Sequence, residues 1–158
     1  MKTADLYDRF GEDLRVMDAG LVNFGGRTDF AGPVETLKTF EDNTKVRTIL
    51  SEPGEGRVLV VDGGGSLRFA LLGDQLAALA VQNNWAGLVI NGPVRDAADI
   101  ATMDLGVKAL GTIPRKTPKR DLGERSVPLE FAGIRLQPGE YLYSDGDGVV
   151  VLPEKVAD

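Results

Sequence analysis

The sequence predicts one α/β domain over residues 1–158, built on a mixed β-sheet. In the middle of the chain, short apolar segments of strand length alternate with segments whose apolar residues recur at helical spacing. Towards the end, pairs of alternating segments are separated by short Gly-containing turns, which is typical of β-hairpins. The length of 158 residues and the hydrophobic content of 42% suit a single core.

The first part of the chain is expected to contain two helices and two strands. Asp and Asn cap helices well and Pro ends them, so Asp42 or Asn43 begins the second helix and Pro53 lies just beyond it. In order, the segments are a helix over residues 5–10, a strand over 33–40, a helix from 42 or 43 to about 51, and a strand over 57–61.

The second part is expected to continue with helices and strands and to close with hairpins. A helix begins at Gly73 or Asp74, since Leu76, Leu79 and Ala80 follow at helical spacing. The remaining segments are a strand over 87–90, a helix over 97–104, a strand over 107–113, a hairpin of 127–131 with 134–136, and a pair of strands over 141–144 and 149–152.

The composition excludes several kinds of chemistry. The sequence has no Cys and no His, so disulfides, thiol nucleophiles and Ser-His-Asp catalysis are ruled out. A protein-bound metal would rest on oxygen ligands, which favours Mg²⁺, Mn²⁺ or Ca²⁺. The net charge of −6 argues against nucleic-acid binding, and we interpret the basic run 115–120 as a solvated loop. With no membrane-length apolar stretch and no apolar leader, we expect no membrane association and a cytoplasmic protein.

The glycine-rich segment 62–66 follows a predicted strand and invites a nucleotide or S-adenosylmethionine interpretation. The full motifs are missing, because position 68 is Arg where a G-x-G-x-x-G motif needs Gly, and no G-K-[ST] follows. The next strand ends in Asn91, which is not an acid that could bind a ribose. We therefore interpret the segment as a tight turn.

Two strand-to-helix junctions present polar groups that could carry chemistry. At Gly73-Asp74-Gln75-Leu76, the unpaired N–H groups of a helix start favour an anion such as a carboxylate. Beyond a buried strand, Arg95 offers a fork for an oxyanion and Asp96 a hard ligand for a divalent ion. A purely structural interpretation stays open for both: Asp74 caps its helix, and Arg95 and Asp96 form a surface pair.

The spacing of these residues resembles a motif of a known family. Asp74, twenty intervening residues and then Arg95-Asp96 reproduce the D-x20-R-D motif of aldolases in the family that joins the ribonuclease-activity regulator A proteins to the 4-hydroxy-4-methyl-2-oxoglutarate aldolases (RraA-like). The resemblance covers roughly residues 5–153. Its blocks are residues 24–27, 30–33, 40–43, 61–68, 88–92, 105–110, 143–145 and 147–149.

The resemblance implies a swivelling β/β/α domain that assembles as a homotrimer or a dimer of trimers. It also implies a Mg²⁺- or Mn²⁺-dependent lyase that acts on small 2-oxo acids through a pyruvate enolate, as an aldolase and an oxaloacetate decarboxylase. By position, Gly73, Asp74, Gln75 and Leu76 would hold the substrate carboxylate, and Asp74 would position a water as base. Arg95 would bind the 2-oxo acid and stabilise the enolate, and Asp96 would ligate the metal.

The same resemblance leaves a second function open. Regulator members of the family inhibit an RNA-degrading endonuclease, so this chain could bind a ribonuclease partner without catalysis. Some regulators lack an acid of the motif, whereas this chain keeps Asp74, Arg95 and Asp96. The complete motif favours the lyase. A third function, menaquinone methyltransferase, lacks a supporting cofactor motif.

Overall fold

The computed structural model describes residues 1–157, in which α-helices pack on a β-sheet. The helices are Thr3–Phe10 (α1), Thr44–Leu50 (α2), Asp74–Gln82 (α3) and Ala97–Ile100 (α4). The strands are Arg15–Val16 (β1), Val22–Asn23 (β2), Phe30–Lys38 (β3), Val58–Asp62 (β4), Gly87–Asn91 (β5), Pro93–Val94 (β6), Gly106–Ala109 (β7), Gly111–Thr112 (β8), Glu124–Arg125 (β9), Leu129–Phe131 (β10), Ile134–Leu136 (β11), Tyr141–Ser144 (β12) and Val149–Leu152 (β13). None of the described helices is long and apolar enough to cross a bilayer.

The main sheet is mixed, as the sequence predicts. Its strand order is β1-β13-β12-β3-β4-β5-β7-β2, with β9 paired to β3. Strands β3, β4, β5 and β7 run parallel, and the flanking strands pair antiparallel. Because parallel strands end at one edge of a sheet, the loops after β4 and β5 emerge side by side.

Strand β4 is buried on both faces, as expected for a central parallel strand. Leu59 and Val61 belong to the core cluster that includes residues of α2 and α3. Val58 and Val60 face the opposite side and belong to the cluster that contains Phe30 and the β10–β11 hairpin. The sheet therefore lies between a helical layer and a β layer.

Three predicted bounds differ clearly from the structure, and tertiary pairing explains two of them. The strand predicted from residue 33 begins at Phe30, because Phe30 pairs with Ser144 of β12. The helix predicted over 97–104 ends at Ile100, and tighter i to i+3 bonds follow it. The strand predicted over 107–113 breaks at Leu110, whose N–H donates to the Gly92 carbonyl at 3.0 Å.

Both pairs of strands near the end of the chain are confirmed, although the first strand, predicted from residue 127, begins at Leu129. Strands β10 and β11 meet at Ala132 and Gly133, which have φ values of 50° and 77°. Two central residues with positive φ match the right-handed twist of a tight hairpin. The β12–β13 pair has the predicted bounds, 141–144 and 149–152.

Candidate active site

A short parallel bridge brings the two polar junctions together. Leu72 and Val94 form an isolated β-bridge, and the Arg95 N–H donates to the Leu72 carbonyl at 2.9 Å. Gly73 and Asp74 follow Leu72, so they lie beside Arg95 and Asp96. The twenty residues between Asp74 and Arg95 comprise the rest of α3 and the strands β5 and β6.

A side chain from a different segment of the chain caps the N-terminus of α3. Gly73 is the N-cap residue and Asp74 the first helical residue, so the interpretation of Asp74 as N-cap is wrong. Instead, Oδ2 of Asp96 accepts a hydrogen bond from the Asp74 N–H at 3.0 Å. This bond removes the Asp74 amide from the predicted carboxylate site and leaves those of Gln75 and Leu76 at the helix start.

Asp96 is held in an unusual backbone conformation. Its φ of 57° and ψ of 40° lie in the left-handed region, which Asp and Asn tolerate better than most residues. It is also the N-cap residue of α4. The bond to Asp74 uses Oδ2, which leaves Oδ1 for another ligand.

The side chain of Arg95 makes long polar contacts with its neighbours. Its Nε lies 3.9 Å from Oδ2 of Asp96, and its Nη1 lies 3.5 Å from the Pro114 carbonyl. Both distances exceed those of a strong charge-assisted hydrogen bond. The side chain is 39% exposed, so the guanidinium can turn towards a ligand.

A cavity of about 340 Å³ opens beside these residues. Five of the predicted residues line it: Gly73, Asp74, Gln75, Leu76 and Arg95. Asp96 is not a lining residue, but its Oδ2 would lie 2.9 Å from a Cβ at Gly73. The other lining residues, which the sequence analysis did not identify, are Asn43, Thr44, Arg47, Ala70, Lys116 and Lys119.

The basic run supplies two of these unpredicted residues. Lys116 reaches the wall because it forms a parallel β-bridge with Ala70. Nζ of Lys119 donates to Oδ1 of Asn43 at 2.6 Å, and Asn43 also accepts from Thr117 at 2.8 Å. Both lysines are exposed, as the solvated-loop interpretation expects, yet they also line the cavity.

A larger cavity, of about 620 Å³, lies elsewhere. It is bounded by α1, β1 and the turn near Gly133, and none of the predicted site residues line it. Five of the six predicted site residues line the smaller cavity at the α3 start instead.

The acids of the site fit a weakly held divalent cation. Within residues 1–157 no three acidic side chains converge, so a cation would rest on Asp96, with Asp74 nearby and water completing the shell. Such a site is compatible with Mg²⁺, which keeps several of its waters in proteins.

The glycine-rich loop after β4 is a turn that is hydrogen-bonded to the ends of β4 and β5. The N–H groups of Gly63 and Gly65 donate to the Asn91 carbonyl at 3.1 and 3.2 Å. The Gly64 N–H donates to Oδ1 of Asp62 at 2.9 Å. Because the loop uses all three amides internally, they do not point at a cofactor, which supports the interpretation as a turn.

Comparison with known proteins identifies related chains. A family model described as RraA-like, Aldolase/RraA, matches residues 3–151. A protein of Alkalilimnicola ehrlichii that carries the provisional name 4-hydroxy-4-methyl-2-oxoglutarate aldolase is 61% identical over 149 residues, 94% of this chain and 92% of its own length.

Two solved structures are closely similar. A Geobacillus kaustophilus structure described as an S-adenosylmethionine:2-dimethylmenaquinone methyltransferase has a TM-score of 0.96 and 49% identity, covering 99% of this chain and 97% of its own. A Thermus structure described as the RNA-processing inhibitor RraA has a TM-score of 0.96 and 45% identity, covering 99% and 95%. The fold is shared, but the three relatives are named for different functions.

Proposed function

The chain belongs to the RraA-like (Aldolase/RraA) family, and on that premise we propose that it is a lyase that cleaves 4-hydroxy-4-methyl-2-oxoglutarate to two molecules of pyruvate. It also decarboxylates oxaloacetate and depends on Mg²⁺ or Mn²⁺. One observation carries the proposal: Asp74, Arg95 and Asp96 meet beside a cavity, with Asp96 bonded to the Asp74 amide at 3.0 Å. The name of the Alkalilimnicola relative supports the aldolase assignment.

The two reactions share one chemical core. In aldol cleavage the C4 hydroxyl loses its proton, the bond between C3 and C4 breaks, and its electron pair forms the pyruvate enolate. In decarboxylation the bond to the departing carboxylate breaks in the same sense and releases carbon dioxide. Protonation of the enolate then gives pyruvate. A site that stabilises negative charge on the 2-oxo oxygen serves both reactions.

The residues have separate roles in this chemistry. The free amides of Gln75 and Leu76 bind the carboxylate next to the 2-oxo group. The planar guanidinium of Arg95 donates to the 2-oxo oxygen and stabilises the enolate charge. Asp74 orients the water that takes the hydroxyl proton. A divalent cation held by Asp96 would supply Lewis-acid polarisation of the 2-oxo group.

The proposal is tested by assaying purified protein for pyruvate release from both substrates. Activity with 4-hydroxy-4-methyl-2-oxoglutarate and with oxaloacetate, each supplemented with Mg²⁺, is the expected result. No turnover of either substrate with Mg²⁺ or Mn²⁺ would contradict it.

Ribonuclease inhibition is a second candidate function, favoured by the 45% identity to the Thermus RNA-processing inhibitor. It would depend on an external surface, not on the cavity. Inhibition of an RNA-degrading endonuclease by both wild type and an Arg95→Lys variant would support a binding function separate from catalysis. Absence of inhibition by either protein would oppose it.

A methyltransferase function has weaker support, although the Geobacillus relative carries that description. The loop after β4 keeps its amides for internal bonds to Asp62 and Asn91. The sequence also lacks the motifs of common dinucleotide sites.

A further inference from the structure

A lysine is buried in the main sheet, outside the candidate active site. Lys108 lies on β7 and is only 4% exposed. Burying a charge is costly unless the protein replaces the lost water with other partners. Nζ of Lys108 donates a hydrogen bond to the Asp145 carbonyl at 2.8 Å. An ammonium group has three donors, so a ligand can still accept from Lys108. The proposed lyase mechanism does not use this residue.

Two further polar groups near Lys108 lack partners. Asn23 lies directly opposite Lys108 in the β2–β7 pair, so the two side chains are neighbours on one face of the sheet. Ser144 precedes Asp145, whose carbonyl accepts the bond from Lys108. Within residues 1–157, Oδ1 of Asn23 and Oγ of Ser144 are the buried side-chain atoms that have no hydrogen-bond partner. A buried polar atom without a partner needs an explanation, such as a bound ion or water. Unused hydrogen-bonding capacity is therefore concentrated around Lys108.

A cavity of about 360 Å³ reaches Lys108. Its other lining residues are the loop 16–21 and the turn 146–149. The volume lies within the roughly 300–1,000 Å³ of small-molecule sites. The cavity shares no lining residue with the candidate active site, so it is a separate place on the molecule.

The cavity combines a buried cation with exposed anions. Asp18 and Asp147 line it together with Lys108, and both acids are exposed. Burial lowers the pKa of Lys108, and attraction to the carboxylates of Asp145 and Asp147 opposes that change. The Asp145 carboxylate is already used, because it accepts bonds from the N–H and hydroxyl of Thr3 and from the Asp147 N–H. The Asp147 carboxylate remains open to a ligand at the surface.

A molecule that complements this cavity carries a carboxylate at one end and an ammonium group at the other. We propose that the cavity binds a small amino acid as its zwitterion, with the carboxylate on Lys108 and the ammonium group beside Asp147. The carboxylate interacts strongly with Lys108 because the effective dielectric constant around a buried group is low. An anion with several charges fits less well, since Asp18 and Asp147 would repel it. This site does not depend on the proposed lyase function.

Calorimetry with three ligands tests the proposal. 4-Aminobutanoate carries both charges on a flexible chain that can adapt to the spacing of Lys108 and Asp147. Butanoate carries only the carboxylate, and butylamine carries only the ammonium group. Wild type is expected to bind 4-aminobutanoate more tightly than either analogue. Binding of butanoate that is equally tight would show a simple anion site, and no binding of 4-aminobutanoate would show a cavity for water alone. Either result would overturn the proposal.

Two variants locate the ligand. Lys108→Met keeps the apolar stem and should lose about 10- to 100-fold in affinity for 4-aminobutanoate, because a hydrogen bond to a charged group contributes about that much. Asp147→Asn changes an exposed side chain without changing its shape, so it keeps the test decisive if Lys108→Met does not fold. It should lose about two- to fivefold for 4-aminobutanoate and should not weaken butanoate binding. The matched control is Lys155→Met, which removes an exposed cation outside the cavity and should change neither affinity.

Arg95→Met distinguishes this cavity from the candidate active site. We expect this variant to bind 4-aminobutanoate as wild type does, because Arg95 lines the other cavity. A loss of affinity in Arg95→Met, with wild-type affinity in Asp147→Asn, would place the ligand at the start of α3 and overturn the proposal. Wild-type affinity in Lys108→Met would overturn it as well. Pyruvate release is measured separately, so failure of the lyase function would leave this test unaffected.

Discussion

Replacing Gly73 by Ala tests how closely the site is packed. A Cβ at this position would lie 2.9 Å from Oδ2 of Asp96 and 3.2 Å from Nε of Arg95. The backbone itself accepts Ala, because Gly73 has a φ of −130°. The substitution therefore displaces the two functional side chains without straining the chain.

The cost in stability can be worked from these contacts. Moving Asp96 weakens its bond to the Asp74 amide, and a hydrogen bond to a charged group contributes about 1.5–3 kcal/mol. Replacing Gly by Ala restricts the unfolded chain and offsets about 0.4–1 kcal/mol of that loss. A net destabilisation of about 0.5–2.6 kcal/mol lowers the melting temperature by roughly 1–10 °C for a domain of this size. The protein should therefore remain folded at 25 °C.

The effect on catalysis should be larger than the effect on stability. A displacement of about 1 Å can cost roughly 10²-fold in rate, and the contacts at Gly73 require a smaller shift, so we expect kcat/KM for oxaloacetate to fall by up to roughly 10²-fold. The matched control is Gly111→Ala, whose Cβ would meet nothing within 4 Å. Wild-type activity in Gly73→Ala, alongside an unchanged control, would refute the proposed contact between Gly73 and the functional pair.

Three further predictions concern charge, pH and assembly. Arg95→Lys should stay folded and lose roughly 10²-fold in kcat/KM, because Lys keeps the charge without the planar fork; near-wild-type turnover would make Arg95 a surface residue. Burial raises the pKa of Asp42, but bonds from the amides of Leu122, Thr44 and Arg120 outweigh it and hold the pKa below 3.8. The stability that this carboxylate contributes is therefore complete above about pH 3.8 and lost as the pH falls through the folded-state pKa. Asp42→Asn should lower the urea midpoint of unfolding at pH 7, and the difference between the midpoints of variant and wild type should shrink in acid. A difference between these midpoints that does not depend on pH would contradict this. Light scattering at micromolar concentration should give the mass of a trimer or of two stacked trimers, and a monomer mass would count against the proposed assembly.

Much of the fold could be predicted because local sequence and tertiary packing agree. Short apolar runs predict the strands β4 and β5, and the turn residues Ala132-Gly133 between two alternating segments predict the hairpin. The errors occur where distant pairing decides the bounds. Phe30 joins β3 through Ser144, and Leu110 leaves β7 for the Gly92 carbonyl, and neither contact is visible in a local pattern.

The site could be predicted only in part for the same reason. The motif spacing identified Asp74, Arg95 and Asp96, but not that Asp96 caps the helix that begins with Asp74. Three cations of the cavity wall, Arg47, Lys116 and Lys119, belong to no motif. Two of them lie in the basic run 115–120, and the bridge of Lys116 to Ala70 and the bond of Lys119 to Asn43 place them at the cavity.

Metal dependence of pyruvate release by wild type and Asp96→Asn is the most direct test of the proposed lyase site. Asn tolerates the left-handed backbone of residue 96, and its one side-chain oxygen can still accept the Asp74 N–H. The substitution then removes the charge and replaces the second oxygen, which would face a metal, by an amide nitrogen. EDTA should abolish wild-type activity without a change in melting temperature, and added Mg²⁺ should restore it. Asp96→Asn should need more Mg²⁺ for the same rate, and Asp96→Ala should be nearly inactive. Full, EDTA-insensitive activity in both variants would contradict the metal-dependent lyase.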